Sequence, residues 1–410
     1  MKAVVFTLGC KVNESESDAL IAGLSEKGYT VSDKLVYADV YVVNTCAVTA
    51  EAEKKSRQTA SRIRKLNPNA KIIFTGCAAE NNYKAFADKG KDVLVTGVFN
   101  KNKILEKLDD FGVDISPESR VYEDMPTVKS LKTRTYIKVQ DGCNNFCSYC
   151  IIPYLRGRSR GRSPDSVIEE INSLSPKEAV INGIDLSSYE YQGVDLTGLV
   201  ERLKDVDARV RLGSLEARVI DEKLLSALKG LKDFAPHFHL SLQSGSDAVL
   251  KKMNRHYTAE EFKGKADLIR RYFPNAGITT DIIVGFPTET DEDFRKTLEF
   301  TEAVKFSDIH PFIYSPRKGT AAYKMQDLPF AVKKARLDEL MQKKSRLKKE
   351  FAEKMEGISL NMLTEEYKDG YTVGYTENYL RAYLKGKAEL GKIIKVKAVA
   401  PYKDGASVKI

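Results

Sequence analysis

Three cysteines lie close together in the middle of the chain, separated by three and then two residues. Cys143, Cys147 and Cys150 follow the apolar, strand-like run at residues 136–139. Thiolates on one short loop can surround a single metal centre, and soft thiolates favour iron–sulfur clusters or zinc over hard cations. A zinc knuckle usually adds a second Cys or His pair nearby, whereas the closest histidine in the sequence is His237. The remaining interpretation is three buried side chains, because free cysteine often belongs to a core.

The loop CNNFCSYC at residues 143–150 resembles the signature of the radical S-adenosylmethionine (SAM) enzymes, including the aromatic Tyr149 before the last cysteine. The resemblance implies that Cys143, Cys147 and Cys150 are catalytic and hold a [4Fe-4S] cluster. It further implies that the iron without a protein ligand binds the amino and carboxylate groups of SAM. One electron from the cluster would then cleave SAM to a 5′-deoxyadenosyl radical.

The other three cysteines each follow a predicted strand in the N-terminal part of the chain. Cys10 lies in LGCKVN (residues 8–13), Cys46 ends NTC (44–46) and Cys77 ends TGC (75–77). In open parallel sheets, ligands bind outside the carboxyl ends of the strands. We therefore expect the three loops to converge on a second three-cysteine site. The alternative is three unrelated small core residues.

Two three-cysteine sites on one chain resemble the pattern of the methylthiotransferases among the radical SAM enzymes. The resemblance implies that Cys10, Cys46 and Cys77 hold an auxiliary [4Fe-4S] cluster, whose open iron carries the sulfur to be inserted. LGCKVN and CSYCIIP (residues 147–153) look most like the bacterial branch that acts on N6-threonylcarbamoyladenosine at tRNA position 37. This implies transfer of a methylthio group to C2 of the adenine, with one SAM as methyl donor and a second as radical source.

Several alternatives stay open. Two share the chemistry: methylthiolation of N6-isopentenyladenosine in tRNA, or of an aspartate in a ribosomal protein. A third, from another class, is a noncatalytic RNA-binding iron–sulfur protein. A cobalamin-dependent radical enzyme also places an α/β domain before its barrel. It would leave the three N-terminal cysteines without a role, and the chain contains no Asp-x-His-x-x-Gly stretch.

Length and charge narrow the class of protein. The 410 residues suffice for two or three domains. A net charge of +9 and a pI of about 8.9 favour an acidic partner such as nucleic acid, although a lysine-rich solvated surface gives the same composition. Six cysteines are too few for a disulfide scaffold, and the loop with Cys143, Cys147 and Cys150 indicates a reducing compartment. With no secretory signal and no apolar run near the roughly 20 residues that span a bilayer, we expect a cytoplasmic protein without membrane contact.

The hydrophobic pattern predicts an α/β protein with an N-terminal parallel sheet, a partial TIM-like (β/α)6 barrel and short C-terminal β-runs. N-terminal strands are predicted at 3–8, 36–43, 71–74 and 93–95, with helices at 15–27 and 51–66. Barrel strands are predicted at 135–139, 179–182, 209–212, 237–242, 278–284 and 309–314. Helix starts are marked by proline at Pro164 and by a capping box at Thr258. Breaks at Pro117, Ser119, Asp124 and Pro126 indicate a linker.

The ends of the predicted barrel strands resemble the family at several positions. The matching segments are NGID at 182–185, GSLE at 213–216, SLQSG at 241–245, MNRHY at 253–257 and TDIIVGFPTE at 280–289. By resemblance, the cofactor-binding residues are Tyr149, Gly183, Asp185, Glu216, Gln243, Arg255 and Asp281. Family members often have glycine where Thr288 stands, so this loop departs from their pattern.

The C-terminal part combines a basic helix with short β-runs. The helix predicted near residues 328–355 carries eight Lys or Arg residues between positions 333 and 349, which a solvated helix face would also explain. Residues 357–410 resemble the TRAM module, a small RNA-binding β-barrel, most clearly in VGYTENY at 373–379. Predicted contacts to substrate RNA are Arg156, Arg158, Arg160, Arg162, Arg317 and Tyr379. For the four clustered arginines, ion pairing inside the barrel mouth is the alternative.

We therefore predict four segments: a methylthiotransferase domain with the auxiliary cluster at 1–115, a linker at 116–133, a radical SAM domain at 134–345 and a TRAM domain at 346–410. The predicted metal ligands are all six cysteines. The expected partners are the anticodon stem-loop of tRNA, a reducing electron donor and a sulfur source.

Overall fold

The computed structural model describes residues 1–125 and 133–410. Pro126, one of the predicted breaks in the linker, lies outside the described residues. The chain separates into two compact units. The first unit comprises residues 1–174, 182–193 and 315–323, and the second comprises residues 175–181, 194–314 and 324–410.

A six-stranded parallel sheet forms the N-terminal part of the first unit, as predicted. Its elements are β1 (Lys2–Thr7), α1 (Lys11–Glu26), β2 (Thr30–Ser32), β3 (Val40–Thr45), α2 (Ala50–Leu66), β4 (Lys71–Gly76), α3 (Cys77–Asn81), α4 (Tyr83–Ala87), β5 (Val93–Thr96) and β6 (Gly112–Asp114). The strand order is β2-β1-β3-β4-β5-β6. Every residue of β3 is buried, because Tyr41 and Val43 enter one core cluster and Val40 and Val42 enter another.

The boundaries of this sheet differ from the predictions in three ways. Strand β3 begins at Val40 instead of residue 36, because Val36 and Tyr37 are exposed and the chain turns there, with the Ala38 N–H donating to the Tyr41 hydroxyl (2.9 Å). Helix α1 begins four residues early, directly after Cys10. The short outer strands β2 and β6 were not predicted, since three residues carry too little pattern.

The rest of the first unit contains the segment around the central cysteines. Its elements are β7 (Thr135–Asp141), α5 (Ile152–Arg156), β8 (Arg160–Gly161), α6 (Pro164–Leu174) and β10 (Glu190–Tyr191), with β9 (Glu178–Gly183) beginning in the second unit and ending in the first. Strands β7 and β8 pair antiparallel. Helix α6 begins at Pro164, as predicted.

The second unit holds most of the predicted barrel strands. Its elements are β11 (Val194–Asp195), α7 (Leu196–Arg202), β12 (Arg209–Leu212), β13 (Ser214–Leu215), α8 (Glu222–Lys229), β14 (His237–Leu240), α9 (Asp247–Lys252), α10 (Ala259–Tyr272), β15 (Gly277–Val284), α11 (Asp291–Val304), β16 (Asp308–Ile313) and α12 (Phe330–Lys354). Strands β9 and β12 pair in parallel, as do successive strands from β13 to β16. All six predicted strands are present, and α10 begins with the predicted capping box of Thr258 and Glu261.

A closed five-stranded barrel ends the second unit, as predicted. It consists of β17 (Ser359–Lys368), β18 (Tyr371–Thr376), β19 (Arg381–Lys385), β20 (Ile393–Tyr402) and β21 (Gly405–Lys409), in the order β17-β18-β19-β21-β20. Phe351, Ala352 and Met355, from the end of α12 and the residue after it, belong to the same core cluster as the inward side chains of the strands. No helix among residues 1–125 and 133–410 has the length and apolar character needed to cross a membrane.

A buried ion pair joins two parallel strands of the second unit to the C-terminal barrel. Arg211 on β12 donates through Nε and Nη2 to the two carboxylate oxygens of Glu178 on β9 (2.7 and 3.1 Å). Its Nη1 also donates to the Glu377 carbonyl beyond β18 (3.1 Å). Both side chains are almost fully buried, and Glu178 is the carboxylate that compensates the Arg211 charge, while it also lies 3.8 Å from the buried Arg209.

Glu178→Gln should lower the unfolding free energy by about 3–5 kcal/mol, because it leaves the Arg211 guanidinium buried without a counter-charge. Thermal denaturation of the cluster-free protein, followed by circular dichroism, measures this loss. The matched control is Glu353→Gln, which breaks the exposed Lys349–Glu353 pair (3.7 Å) and should change stability by less than about 1 kcal/mol. Equal melting temperatures for the two variants would contradict the structural role of the pair.

Candidate active site

The three N-terminal cysteines lie at the carboxyl ends of three neighbouring strands. Cys10 follows β1, Cys46 follows β3 and Cys77 opens α3 directly after β4, and β1, β3 and β4 are adjacent in the sheet. The loops approach closely, since a Cβ built on Gly9 would lie 3.3 Å from the Cys46 Cβ. The three thiols therefore lie at one edge of the sheet, where parallel α/β folds bind ligands.

Asn13, on the first turn of α1, connects two of these loops. Its side-chain nitrogen donates to the Leu8 carbonyl and to the Thr45 carbonyl, both at 3.1 Å, and Thr45 directly precedes Cys46. Its side-chain oxygen accepts from the Cys10 thiol (3.5 Å). The third loop begins at Gly76, whose φ of +91° is easily reached only by glycine and where a Cβ would lie 2.6 Å from the Asn44 side-chain oxygen.

Arg156, six residues after Cys150, reaches the same edge of the sheet and is fully buried. Its Nε donates to the Cys77 sulfur (3.2 Å). Nη1 donates to Glu16 (2.9 Å) and Asp141 (3.1 Å), and Nη2 donates to Asn13 (3.1 Å) and Glu16 (3.2 Å). All five N–H groups of the guanidinium are therefore used.

The two carboxylates beside Arg156 are surrounded by further cations. Glu16 also pairs with Lys101 and with Lys138 (2.9 Å), and Asp141 pairs with Lys138 (2.7 Å) and Arg160 (3.3 Å). Burial opposes ionisation, but these cations together hold the pKa of both carboxyls below the usual range. Four buried cations thus face two carboxylates, and an excess of two positive charges lies beside the Cys77 thiol.

The central cysteine loop, residues 143–150, is held by a second set of hydrogen bonds. Gln140 accepts the Asp185 N–H (2.9 Å) and donates to the carbonyls of Asp141 and Gly142. The Asp185 carboxylate accepts from the Asn145 side chain (3.0 Å) and lies 3.9 Å from the Cys143 sulfur. Gly183 is required because a Cβ there would lie 2.6 Å from the Gln140 side-chain oxygen. Tyr149 is half-buried.

The donor sets fit two iron–sulfur clusters. All six cysteines are free thiols. Burial raises the pKa of Cys46 to about 12, with the neighbouring Cys77 and Cys10 contributing, and burial together with Asp185, Cys150 and Cys147 raises the pKa of Cys143. Loading a cluster must therefore release protons. Among the described residues, no three His, Cys, Asp or Glu side chains are arranged around a single ion, whereas in a four-iron cluster each thiolate binds a different iron.

The remaining residues predicted to bind SAM lie in the second unit. Glu216 pairs with Arg255 (2.8 Å), and Arg255 also donates to the Ser241 carbonyl (2.9 Å). Gln243 follows β14 with a φ of +72° and is almost fully buried. Asp281 on β15 lies 3.2 Å from the Nε2 of His239 on β14.

Thr288 occupies a backbone conformation that would suit glycine, the residue expected at this position from the family resemblance. Its φ is +71°, in the left-handed region that is unfavourable for a β-branched side chain. Lys252 donates to its hydroxyl (2.8 Å). The neighbouring Glu289 accepts the Gly285 N–H (2.8 Å) and pairs with Arg336 (2.6 Å). These contacts hold the turn at Thr288 in place.

Four arginines predicted to contact RNA are instead buried in ion pairs, which corrects those predictions. Arg156 and Arg160 share Asp141, Arg162 pairs with Glu170 and Asp124, and Arg317 pairs with Glu53. Their guanidinium groups are already compensated and almost inaccessible to solvent. The alternative of ion pairing thus holds for three of the four clustered arginines. Only Arg158 is exposed, with its guanidinium 4.5 Å from the Phe146 ring centroid.

Tyr379 is half-buried within the second unit. Its ring stacks on His237 (4.4 Å between centroids) and on Tyr375 (4.6 Å), and the Arg211 guanidinium lies 4.9 Å from the ring centroid. The ring packs against the parallel strands as well as the C-terminal barrel, so a structural role accounts for its contacts.

The polar residues that position the cysteines were not predicted from the sequence; they are Asn13, Glu16, Lys101, Lys138, Gln140 and Asp141. One signal was available: Glu16 lies four residues after Val12 and four before Leu20 on the buried face of α1, where a charge needs a buried partner. The partner itself could not be identified, because Arg156 is 140 residues away.

Comparisons with known proteins agree with this geometry. Residues 137–301 match the radical SAM superfamily, and residues 2–97 match the uncharacterized protein family UPF0004. The threonylcarbamoyladenosine tRNA methylthiotransferase MtaB of Bacillus subtilis is 37% identical, over 100% of this chain and 97% of that protein. The tRNA-2-methylthio-N(6)-dimethylallyladenosine synthase of a Thermoanaerobacter species is 34% identical, over 88% of this chain and 81% of that protein.

A solved structure shares the fold. The radical S-adenosylmethionine methyltransferase TsrM from Kitasatospora setae, with cobalamin and a [4Fe-4S] cluster bound, superposes with a TM-score of 0.55 at 15% identity, over 91% of this chain and 77% of that chain. At this identity the likeness concerns the fold alone. The full-length similarity to curated relatives is decisive for the family: this chain belongs to the radical SAM methylthiotransferases.

Proposed function

We propose that this chain adds a methylthio group to C2 of N6-threonylcarbamoyladenosine at position 37 of tRNA, using two SAM molecules. The observation that carries the proposal is the presence of two separate sets of three free thiols, each one ligand short of a complete four-iron site. The name of the Bacillus subtilis relative, which matches this chain over its whole length, supports the nucleoside. The cofactors are two [4Fe-4S] clusters and SAM.

The chemistry explains why such cofactors are needed. The C2–H of an adenine is neither acidic nor readily attacked, so general acid–base catalysis has little to act on. The cluster held by Cys143, Cys147 and Cys150, with SAM bound, supplies the radical, and the protein contributes binding, orientation and exclusion of water. We assign part of the binding of SAM to Glu216 and Arg255, which pair with each other: the Glu216 carboxylate can accept from the amino group of SAM, and the Arg255 guanidinium can donate to its carboxylate.

Further cofactor contacts follow from the same geometry. Gln243, three residues after β14, and Asp281, in the second half of β15, are proposed to bind the nucleoside part of SAM. Asp185 and Gly183 are proposed to shape the central loop around the cluster through Gln140. Tyr149 stays a predicted contact.

The domain division at 115, 133 and 345 stays a prediction. The N-terminal sheet ends at Asp114 and β7 begins at Thr135, which supports the first two boundaries, whereas residue 345 lies inside α12. Arg158 is the exposed candidate for RNA contact near the central loop. A tRNA substrate and reduced clusters together favour a cytoplasmic location, an electron donor and a sulfur source.

Cys147→Ala should abolish formation of 5′-deoxyadenosine, because it removes a ligand of the radical-forming cluster. Cys46→Ala should still form 5′-deoxyadenosine but give no methylthio product, because it disrupts only the auxiliary site. Both are measured by mass spectrometry of single reactions with SAM, reductant and tRNA. Equal methylthio product from Cys46→Ala and the parent would refute the two-site assignment.

Iron content supplies the control for these variants. The reconstituted parent should contain about eight irons per chain, and the Cys143/Cys147/Cys150 triple alanine variant about four. A parent with about four irons and a triple variant with none would mean that Cys10, Cys46 and Cys77 hold no cluster.

The nucleoside is identified in cells. A strain without the gene should lose 2-methylthio-N6-threonylcarbamoyladenosine from its total tRNA, and a plasmid copy of the gene should restore it, while a Cys46→Ala copy should not. Digestion of tRNA followed by liquid chromatography and mass spectrometry measures this. Loss of the 2-methylthio derivative of isopentenyladenosine instead would assign to this chain the activity for which the Thermoanaerobacter relative is named.

A further inference from the structure

We propose that Arg156 is the positioning residue of the auxiliary cluster site and sets the reduction potential of the cluster. The inference rests on the proposed two-cluster function. Arg156 follows the central cysteine loop in sequence, yet its Nε–H points at the sulfur of Cys77, a thiol of the other set (3.2 Å). A hydrogen bond to a ligating sulfur is one of the main determinants of iron–sulfur potentials.

The geometry makes this contact specific to arginine. The Glu16 carboxylate accepts from both Nη1 and Nη2, which fixes the plane of the guanidinium and leaves Nε directed at Cys77. Nη2 also binds Asn13, the residue that contacts the Cys10 thiol and the loop before Cys46. Arg156 and Asn13 together thus contact all three cysteine loops. A lysine has no planar fork and could not reproduce this pattern.

The local charge is matched to an anionic ligand. Arg156, Lys101, Lys138 and Arg160 outnumber Glu16 and Asp141 by two positive charges. An oxidised four-iron cluster with three thiolates is a monoanion, and a further anionic sulfur on its open iron makes a dianion. The buried excess of two positive charges therefore compensates the cluster in its sulfur-carrying form.

Arg156→Lys should shift the midpoint potential of the auxiliary cluster to a more negative value, because it keeps the charge but loses the N–H···S bond to Cys77. The measurement is a redox titration followed by electron paramagnetic resonance, in the full-length Cys143/Cys147/Cys150 triple alanine background so that only the auxiliary cluster is observed. Retention of iron against a chelator should fall by about tenfold or more.

Arg160→Lys is the matched control, because Arg160 is also buried beside Asp141 but contacts the carbonyls of Arg156 and Arg158 (2.7 and 3.1 Å) and no cysteine in the described structure. It should leave the potential unchanged. If Arg156→Lys does not fold, the double variant Glu16→Gln/Arg156→Gln removes one charge of each sign and should give the same negative shift. An unchanged potential in a folded Arg156 variant would overturn the proposal, and so would equal shifts in the Arg156 and Arg160 variants. Absence of both clusters from the parent protein would instead overturn the proposed function.

A second, independent observation concerns the basic residues of the C-terminal part. Each of the eight bases between positions 333 and 349 of α12 has an acidic partner, for example Lys344 and Lys348 with Asp308 (3.2 and 3.1 Å). The outer face of the C-terminal barrel is different. Lys395, Lys397 and Lys409 are exposed there and have no ion-pair partner in the part of the chain that the structure describes.

These three lysines form a strip with like charges side by side. Lys397 on β20 is the direct cross-strand partner of Lys409 on β21, and Lys395 lies two residues along the same face of β20. Directly opposed like charges destabilise a sheet, so folding alone does not favour this arrangement. We infer that the strip binds the phosphate backbone of the tRNA substrate, which deepens the proposed function by locating a contact surface.

Lys397→Gln/Lys409→Gln should weaken tRNA binding and reduce the slope of log affinity against log salt by about two, since each lysine contributes about one released counterion. Binding of unmodified tRNA to the full-length protein is followed by fluorescence anisotropy at several salt concentrations. The thermal stability of the variant should be unchanged or higher, because a like-charge contact is relieved.

Lys343→Gln/Lys349→Gln removes the same net charge from α12, where both lysines are already paired, and should leave the slope unchanged. Equal effects of the two double variants would show that tRNA binding responds only to net charge. That result would overturn the proposal that the strip binds tRNA. Unchanged binding by the Lys397/Lys409 variant would also overturn it, while methylthiolation by the parent would keep the proposed function intact.

Discussion

The burial of the Arg156 guanidinium is the constraint on which the first unit depends. Removing a charged group from water costs several kcal/mol, and this cost is offset only when every donor finds a partner. Glu16, Asp141, Asn13 and the Cys77 sulfur supply those partners, and they come from three different segments of the chain: helix α1, the end of β7 and the start of α3. Because one planar group fixes all of them, the strand ends that carry the N-terminal cysteines cannot move independently of the central loop.

This arrangement also explains how the proposed site for a charged cluster can exist inside the folded protein before the cluster arrives. Burial raises the pKa of the Cys46 thiol, so without metal this side chain adds no uncompensated negative charge. The cation excess around Glu16 and Asp141 is then the unfavourable part of the site. Cluster binding converts thiols to thiolates and relieves that excess, so the free energy of assembly is coupled to the charge that the protein already holds.

Much of the fold was predictable because its signals are local. Apolar runs alternating with helices predict a parallel sheet, and the rule that ligands bind at strand carboxyl ends placed Cys10, Cys46 and Cys77 together. The ion pairs were not predictable, since Glu16 and Arg156 lie 140 residues apart. The sequence alone does not show that a charged side chain is buried or which residue it pairs with. The arginine-rich run at 156–162 therefore suggested RNA, although three of its four guanidinium groups face carboxylates inside the unit.

The net charge of +9 likewise indicates an acidic partner but not where that partner binds. A lysine that is already paired with a carboxylate contributes little to the binding of a phosphate, because its existing ion pair must be broken first. The basic helix α12 is of this kind. Phosphate binding is more favourable at an unpaired lysine beside another lysine. The phosphate attracts both cations and also reduces the repulsion between them. Recognition of a polyanion should therefore be sought where cations lack partners, and in the second unit this criterion selects the outer face of the small barrel over the longest basic helix.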